Sequence, residues 1–240
     1  FSPAATVTGV GALVVSSGTL LLTSGEPITT PTLTQSGGTI DSPDAITVSG
    51  LTTWTAGTLQ GSGATNTNGG MSLNTSGVPR LNGRPLNTAG TTTWAGGGGL
   101  RTGNGSVITN SGTWDASGNA FLTNSLGGAA TFQNNGTFRK SAGTGTTTIT
   151  AAFHNASLVE ANSGVLSLNG GGTHDGSFTG LAAGTLSFNG GTHTLGGTSS
   201  VTATNVTVAS GTVNLGGTYN VAGTTTLSGG VINNAIAAVT

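Results

Sequence analysis

The sequence predicts an all-β, right-handed parallel β-solenoid with about 20 residues per coil and roughly eleven coils. Three observations carry this reading. The second half repeats itself at close to that period, apolar residues alternate within each repeat, and glycine precedes most of the alternating runs.

The repeats align by eye. TFQNNGTFRKSAGTGTTTITAA (131–152), FHNASLVEANSGVLSLNGGG (153–172), THDGSFTGLAAGTLSFNGG (173–191) and THTLGGTSSVTATNVTVASGTVNLGG (192–217) follow one another, and TYNVAGTTTLSGGVINN begins at Thr218. HNASL matches HDGSF, and GVLSLNGG matches GTLSFNGG, with GTVNLGG continuing that series. Period-2 alternation is the signature of a strand, so Leu166 and Leu168 are expected to point together into a core. The alignment then stacks Leu186 and Val213 on Leu166, and Phe188 and Leu215 on Leu168. A helical stripe is absent, and glycine with β-branched Thr and Val disfavours helix. Glycines supply the positive-φ turns, and Asn in NSG, NNG and NAS either tolerates such turns or stacks as an amide ladder.

The first half keeps the spacing in blocks from Pro31, Leu51 and Met71, with SGTL, GGTI and AGTL recurring at Gly18, Gly38 and Gly57. All six prolines lie in residues 1–85, and a residue that cannot donate to a ladder marks corners or edges. VPRLNGRP (78–85) reads as a protruding loop. The chain is expected to form one solenoid domain over 1–240, with irregular, Pro-bearing coils in 1–106 and regular coils in 107–240.

Composition narrows the function. Charged residues make up 5% of the chain and the net charge is −1, so no basic stripe for nucleic acid exists. Without cysteine there are no disulfides or thiolate metal sites. No apolar run approaches the ~20 residues of a membrane-spanning helix. The chain opens at Phe1, as expected of a mature product or an excised piece.

The phrases NNGTF, NASLVEANSGVLSLNGGGTH and GTLSFNGGTHTLGG resemble repeats of large bacterial surface and secreted proteins. These are the filamentous-haemagglutinin-like adhesins and autotransporter-type passengers, in which a parallel β-helix forms a stalk. The resemblance covers roughly residues 105–235. It implies adhesion or matrix building and supplies no catalytic motif.

Candidate chemistry is sparse. The six acids are Glu26, Asp41, Asp44, Asp115, Glu160 and Asp175. Asp41 and Asp44 flank Pro43 at a corner, and Asp115 and Glu160 are expected to face solvent. Paired-carboxylate hydrolysis needs two such groups about 5–10 Å apart, and solvated turns are the simpler reading. His154, His174 and His193 occupy equivalent places in the alignment, after Gln133 and before Tyr219, and are expected to form a corner ladder rather than a converging metal site. The Thr-x-Thr clusters TTTW (91–94), TTTIT (146–150) and TTTL (224–227) would suit an ice-binding face only if they recurred on nearly every coil of one face. Trp114 falls in the inward place shared with Phe138 and Leu158. Trp54 and Trp94 stay unassigned, and exposed they would favour glycan stacking.

No catalytic, cofactor-binding or metal-binding residue is therefore assigned. The expected function is non-enzymatic and structural, at the cell surface or outside the cell, as a stalk, an adhesin segment or a filament subunit stacking end to end. The expected partner is another copy or neighbouring repeats, with neither nucleic acid nor a membrane span. The uncharged end stretches 1–15 and 231–240 motivate the stacking. The alternative is a binding module whose face engages glycans, a host surface or ice.

Overall fold

A computed structural model describes residues 11–234, so parts of both end stretches, 1–10 and 235–240, lie outside the described residues. The described residues form 28 strands and no helix. Among the described residues every strand pairing is parallel. The strands fall into three faces of eleven segments each, so the chain is a parallel β-solenoid of eleven coils. At about 4.8 Å per coil the rod is on the order of 50 Å long.

The first face runs from Leu13–Val15 through the opening residues of Leu33–Asp41, Thr52–Gln60 and Met71–Asn82. It continues through Thr91–Ala95, Thr113–Ala116, Thr137–Lys140, Leu158–Ala161, Ser177–Gly180, Ser200–Val201 and Thr218–Tyr219. The second face begins at Thr19–Leu21 and takes the closing residues of the same three long strands. Gly99–Gly103, Phe121–Asn124, Thr146–Ile149 and Gly164–Leu168 follow, then the opening of Gly184–Leu195 and Asn205–Leu215, and Thr224–Leu227. The third face comprises Ile28–Thr30, Ile46–Val48, Thr65–Thr67, Leu86–Thr88, Val107–Asn110, Thr131–Asn134, Ala152–Asn155 and Gly172–His174. The closing residues of Gly184–Leu195 and Asn205–Leu215 complete it, with Val231–Asn234. Glycines at Gly18, Gly38 and Gly57 turn the chain from first to second face with φ of 70°, 61° and 89°, a conformation L side chains avoid.

Alternation sends one residue in two inward, where each meets its equivalent on the next coil. One column on the first face reads Leu13, Leu33, Thr52, Met71, Thr92, Trp114, Phe138, Val159, Phe178, Val201, Tyr219. From Trp94 to Phe153 the interior is an aromatic spine, with Trp114 edge-on to Phe132 at 5.1 Å and Phe132 stacked on Phe153 at 5.2 Å. Each fully buried Leu, Ile, Val or Phe contributes roughly 1.5–3 kcal/mol of transfer free energy. A column repeated through many coils therefore does most of the stabilising.

The structure corrects the alignment in several places. Val159, not Leu158, continues the Trp114–Phe138 column, because Leu158 pairs with Ser177. A one-residue slip reverses the face of every side chain in a strand. On the second face Leu166 and Leu186 are followed by Val206, and Leu168 and Phe188 by Val208. Val213 and Leu215 belong to the third face, on His193 and Leu195. The cause is that Asn205–Leu215 is one strand turning a corner at Gly211 (φ 75°), so its two alternating stretches serve two faces. VPRLNGRP is no protruding loop: Val78 to Asn82 lie in a strand, Leu81 points into the core, and Arg84 is fully buried. The extra residues instead bulge between Trp54–Leu73 and Thr58–Arg80 pairings. Pro79 sits at that bulge, which is the corner where Met71–Asn82 passes from the first face to the second, as expected of a proline.

Asn in NSG, NNG and NAS forms an internal amide ladder. Asn110 Nδ2 donates to Asn134 Oδ1 and Asn134 Nδ2 to Asn155 Oδ1, both at 2.9 Å. All three are buried, and each amide also donates to corner carbonyls, which satisfies polar groups that water cannot reach.

Candidate functional site

The next rung of that amide ladder is His174, which pairs with Asn155. His193 sits two residues earlier on its own strand, where it pairs with Gly172 and Val213. Gly172 (φ 148°) leaves no side chain in that slot, since a Cβ there would collide with the carbonyl of Phe153. The two imidazoles stack with centroids 5.3 Å apart, both fully buried, against Phe178 and Phe188. The expected three-histidine ladder is not formed. His154 lies on the outer side of the third face beside Gln133 and bonds Thr173, while Tyr219 belongs to the first face. The alignment of HNASL with HDGSF missed this because the true register is offset by one residue.

Hydrogen bonding assigns the protons of the buried pair. His193 Nε2–H donates to the Leu168 carbonyl at 3.1 Å, so His193 Nδ1 accepts from His174 Nε2–H at 3.0 Å. His174 Nδ1 has no partner. Burial lowers the His174 pKa from 6.5 to about 3, with repulsion from His193 and His154 adding to it. Burial lowers that of His193 to about 4, against opposing hydrogen bonds to the Leu168 and Gly190 backbone. Both rings are neutral at neutral pH, and among the described residues no group of three His, Cys, Asp or Glu could hold a metal ion.

Four of the six acids are engaged in the frame. Asp44 is buried and accepts from the Ser24 amide and hydroxyl and the Gly25 amide, tying the corner of one coil to the one before. Asp41 accepts from Gln60 Nε2 at 2.9 Å. Asp115 and Glu160 point outward with Arg139 between them on consecutive rungs, at 3.4 Å and 3.8 Å. The partial exposure of all three limits what these pairs add to stability.

Two cations lie inside. Arg84 donates all five guanidinium N–H groups, to Thr65 Oγ1 and to the carbonyls of Ser42, Gln60, Asp44 and Ala64, at 2.6–3.2 Å. It pins three consecutive coils at one corner. Desolvation lowers its pKa to about 10, against the attraction of Asp41 and Asp44. Lys140 is buried between Ala116 and Ala161, small neighbours that leave it room, and donates to the carbonyls of Gly118 and Ala142 at 3.0 Å. Burial lowers its pKa. Sequence reasoning missed both, since a lone charge reads as a surface residue.

Trp54, Trp94 and Trp114 are all buried in the core, with indole N–H groups that find no partner, so none presents a stacking platform. The Thr clusters divide between faces. Thr91 and Thr93 point outward on the first face, Thr146 with Thr148 and Thr224 with Thr226 on the second. The three coils between the latter two carry Val165 and Ser167, Thr185 and Ser187, and Asn205 and Thr207. The chain matches no family model, and no curated protein or solved structure matches it.

Proposed function

We propose that this chain is a non-enzymatic structural rod, a stalk, adhesin segment or filament subunit at the cell surface or outside the cell, whose ladder continues beyond its own last coil. One observation carries the proposal. The second-face core columns reach the last described coil uncovered, where Leu227, which continues Leu168, Phe188 and Val208, is 55% exposed. Thr225 ends the neighbouring column and is exposed as well. At the other end Leu13 and Leu20, which begin core columns, are only partly buried, and among the described residues their strands pair on one side.

An open rung of a solenoid is a template for another strand. The occupant is the next coil of a longer chain or the first coil of a second copy. The latter contact is heterologous and propagates as a filament unless it closes into a ring. The low charge and the resemblance to bacterial surface repeats support a place outside the cell.

Light scattering across a concentration series tests the stacking. The 240-residue chain is expected to associate as concentration rises, and Leu227→Lys, which places a charge on the open rung, to stay monomeric with the same β spectrum. A wild-type chain that stays monomeric while keeping its β spectrum would end the copy-to-copy reading.

A further inference from the structure

Among the five basic residues, Arg84 and Lys140 are buried and Arg139 is paired with two acids. Arg80 and Arg101 remain. They are exposed, among the described residues neither has a hydrogen-bond or ion-pair partner, and they pair directly with each other on adjacent rungs of the second face. Like charges at neighbouring positions about 4.8 Å apart repel. In a chain with so few cations, the two free ones share one column.

Beside them lies Phe121, 38% exposed, the one exposed aromatic among the described residues. It pairs with Gly99, two residues before Arg101 on the same outer side. A Cβ on Gly99 would fall within the Phe121 ring, so glycine lets the ring lie over the strand, next to Arg101. On the other side runs an outer amide row: Asn104 donates to Asn82 at 2.6 Å, Asn82 to Gln60 at 3.4 Å, and Gln60 to Asp41 at 2.9 Å. Asp41 lies two rungs from Arg80 and two residues further along its strand, and its Oδ2 accepts from Gln60.

We propose that Arg80, Arg101 and Phe121 form a lateral binding site for an acidic polysaccharide, a chain of sugars carrying carboxylates. Guanidinium forks match carboxylates two bonds at a time, and two forks one rung apart meet carboxylates along a chain laid parallel to the rod. The phenyl ring offers an apolar face to a pyranose, and the amide row offers hydrogen bonds to its hydroxyls. Nucleic acid is the poorer occupant, since two cations neutralise too few phosphates. The site is independent of end-to-end stacking, which uses other residues.

Isothermal titration with a galacturonate oligosaccharide, a neutral dextran oligosaccharide and inorganic phosphate tests the site. The acidic oligosaccharide is expected to bind, more weakly as salt rises, while dextran and phosphate do not. Arg80→Gln and Arg101→Gln should each weaken binding about tenfold or more. Phe121→Ser should weaken it while leaving the salt dependence in place. All three side chains are exposed, and an unchanged melting temperature checks that each variant is folded. No binding of the acidic oligosaccharide, binding unaffected by the arginine variants, or equal binding of phosphate would each overturn the proposal.

Discussion

Lowering the pH from 7 to 5 is expected to remove about 4 kcal/mol of stability through His174 and His193. In the folded chain both imidazoles are neutral, with pKa values lowered from 6.5 to about 3 and about 4. In the unfolded chain they titrate near their ordinary value of about 6.5, so below that pH the unfolded chain binds protons that the folded one refuses. The contribution is therefore complete above pH ~6.5 and falls as the pH drops toward the folded values, by up to ~1.36 kcal/mol per unit for each ring. At pH 5 that is about 2 kcal/mol per ring. The rings are fully buried, so solvent does not screen the penalty. Geometry gives the same sign. A proton on His193 Nδ1 would face the N–H of His174, and one on His174 Nδ1 would be a charged donor with no acceptor in the core. Urea unfolding followed by circular dichroism at pH 7 and pH 5 measures the loss. In the control, His174→Leu with His193→Val continues the columns of Leu195 and Val213 and should remove most of the pH dependence. A wild-type loss below about 1 kcal/mol, or an equal loss in the double variant, would refute the reasoning.

Three further outcomes follow from the core. Phe188→Ala removes a buried ring that meets Phe178 at 5.5 Å and His193 at 4.9 Å, and should cost about 3–5 kcal/mol in urea unfolding; a change under 1 kcal/mol would place that ring outside the core. Arg84→Met gives up five hydrogen bonds from a charged group while relieving its desolvation, for a net loss of about 3 kcal/mol, and Arg84→Lys, lacking the planar fork, should not restore it. Tryptophan emission should be blue-shifted and insensitive to a soluble quencher, since all three indoles are buried; strong quenching of the native chain would contradict that placement.

Much of the fold was legible because a solenoid writes its period into the sequence. The near-20-residue repeat, the positive-φ glycines at Gly18, Gly38 and Gly57 and the inward places of Trp114 and Phe138 are readable in the string, while for Asn the string leaves a turn role and a ladder both open and the structure selects the ladder. Register was harder. Coil steps range from 18 residues, between Val201 and Tyr219, to 27, between Leu122 and Ile149. Matching phrases therefore align the text without aligning the rungs. HNASL and HDGSF look equivalent, yet one residue separates their pairing, and that turns His174 from an outer ladder into the core. The buried cations were illegible for another reason. Nothing in the string shows that backbone carbonyls of the two preceding coils converge on Arg84, because those carbonyls belong to residues 20 to 42 positions away.

Small-angle scattering over a concentration series tests most directly the proposed rod and the reading in which a second copy continues its ladder. The isolated unit should be on the order of 50 Å long, and growth should lengthen the particle at constant cross-section. A particle that thickens on association, or whose length does not change with concentration, would contradict the account.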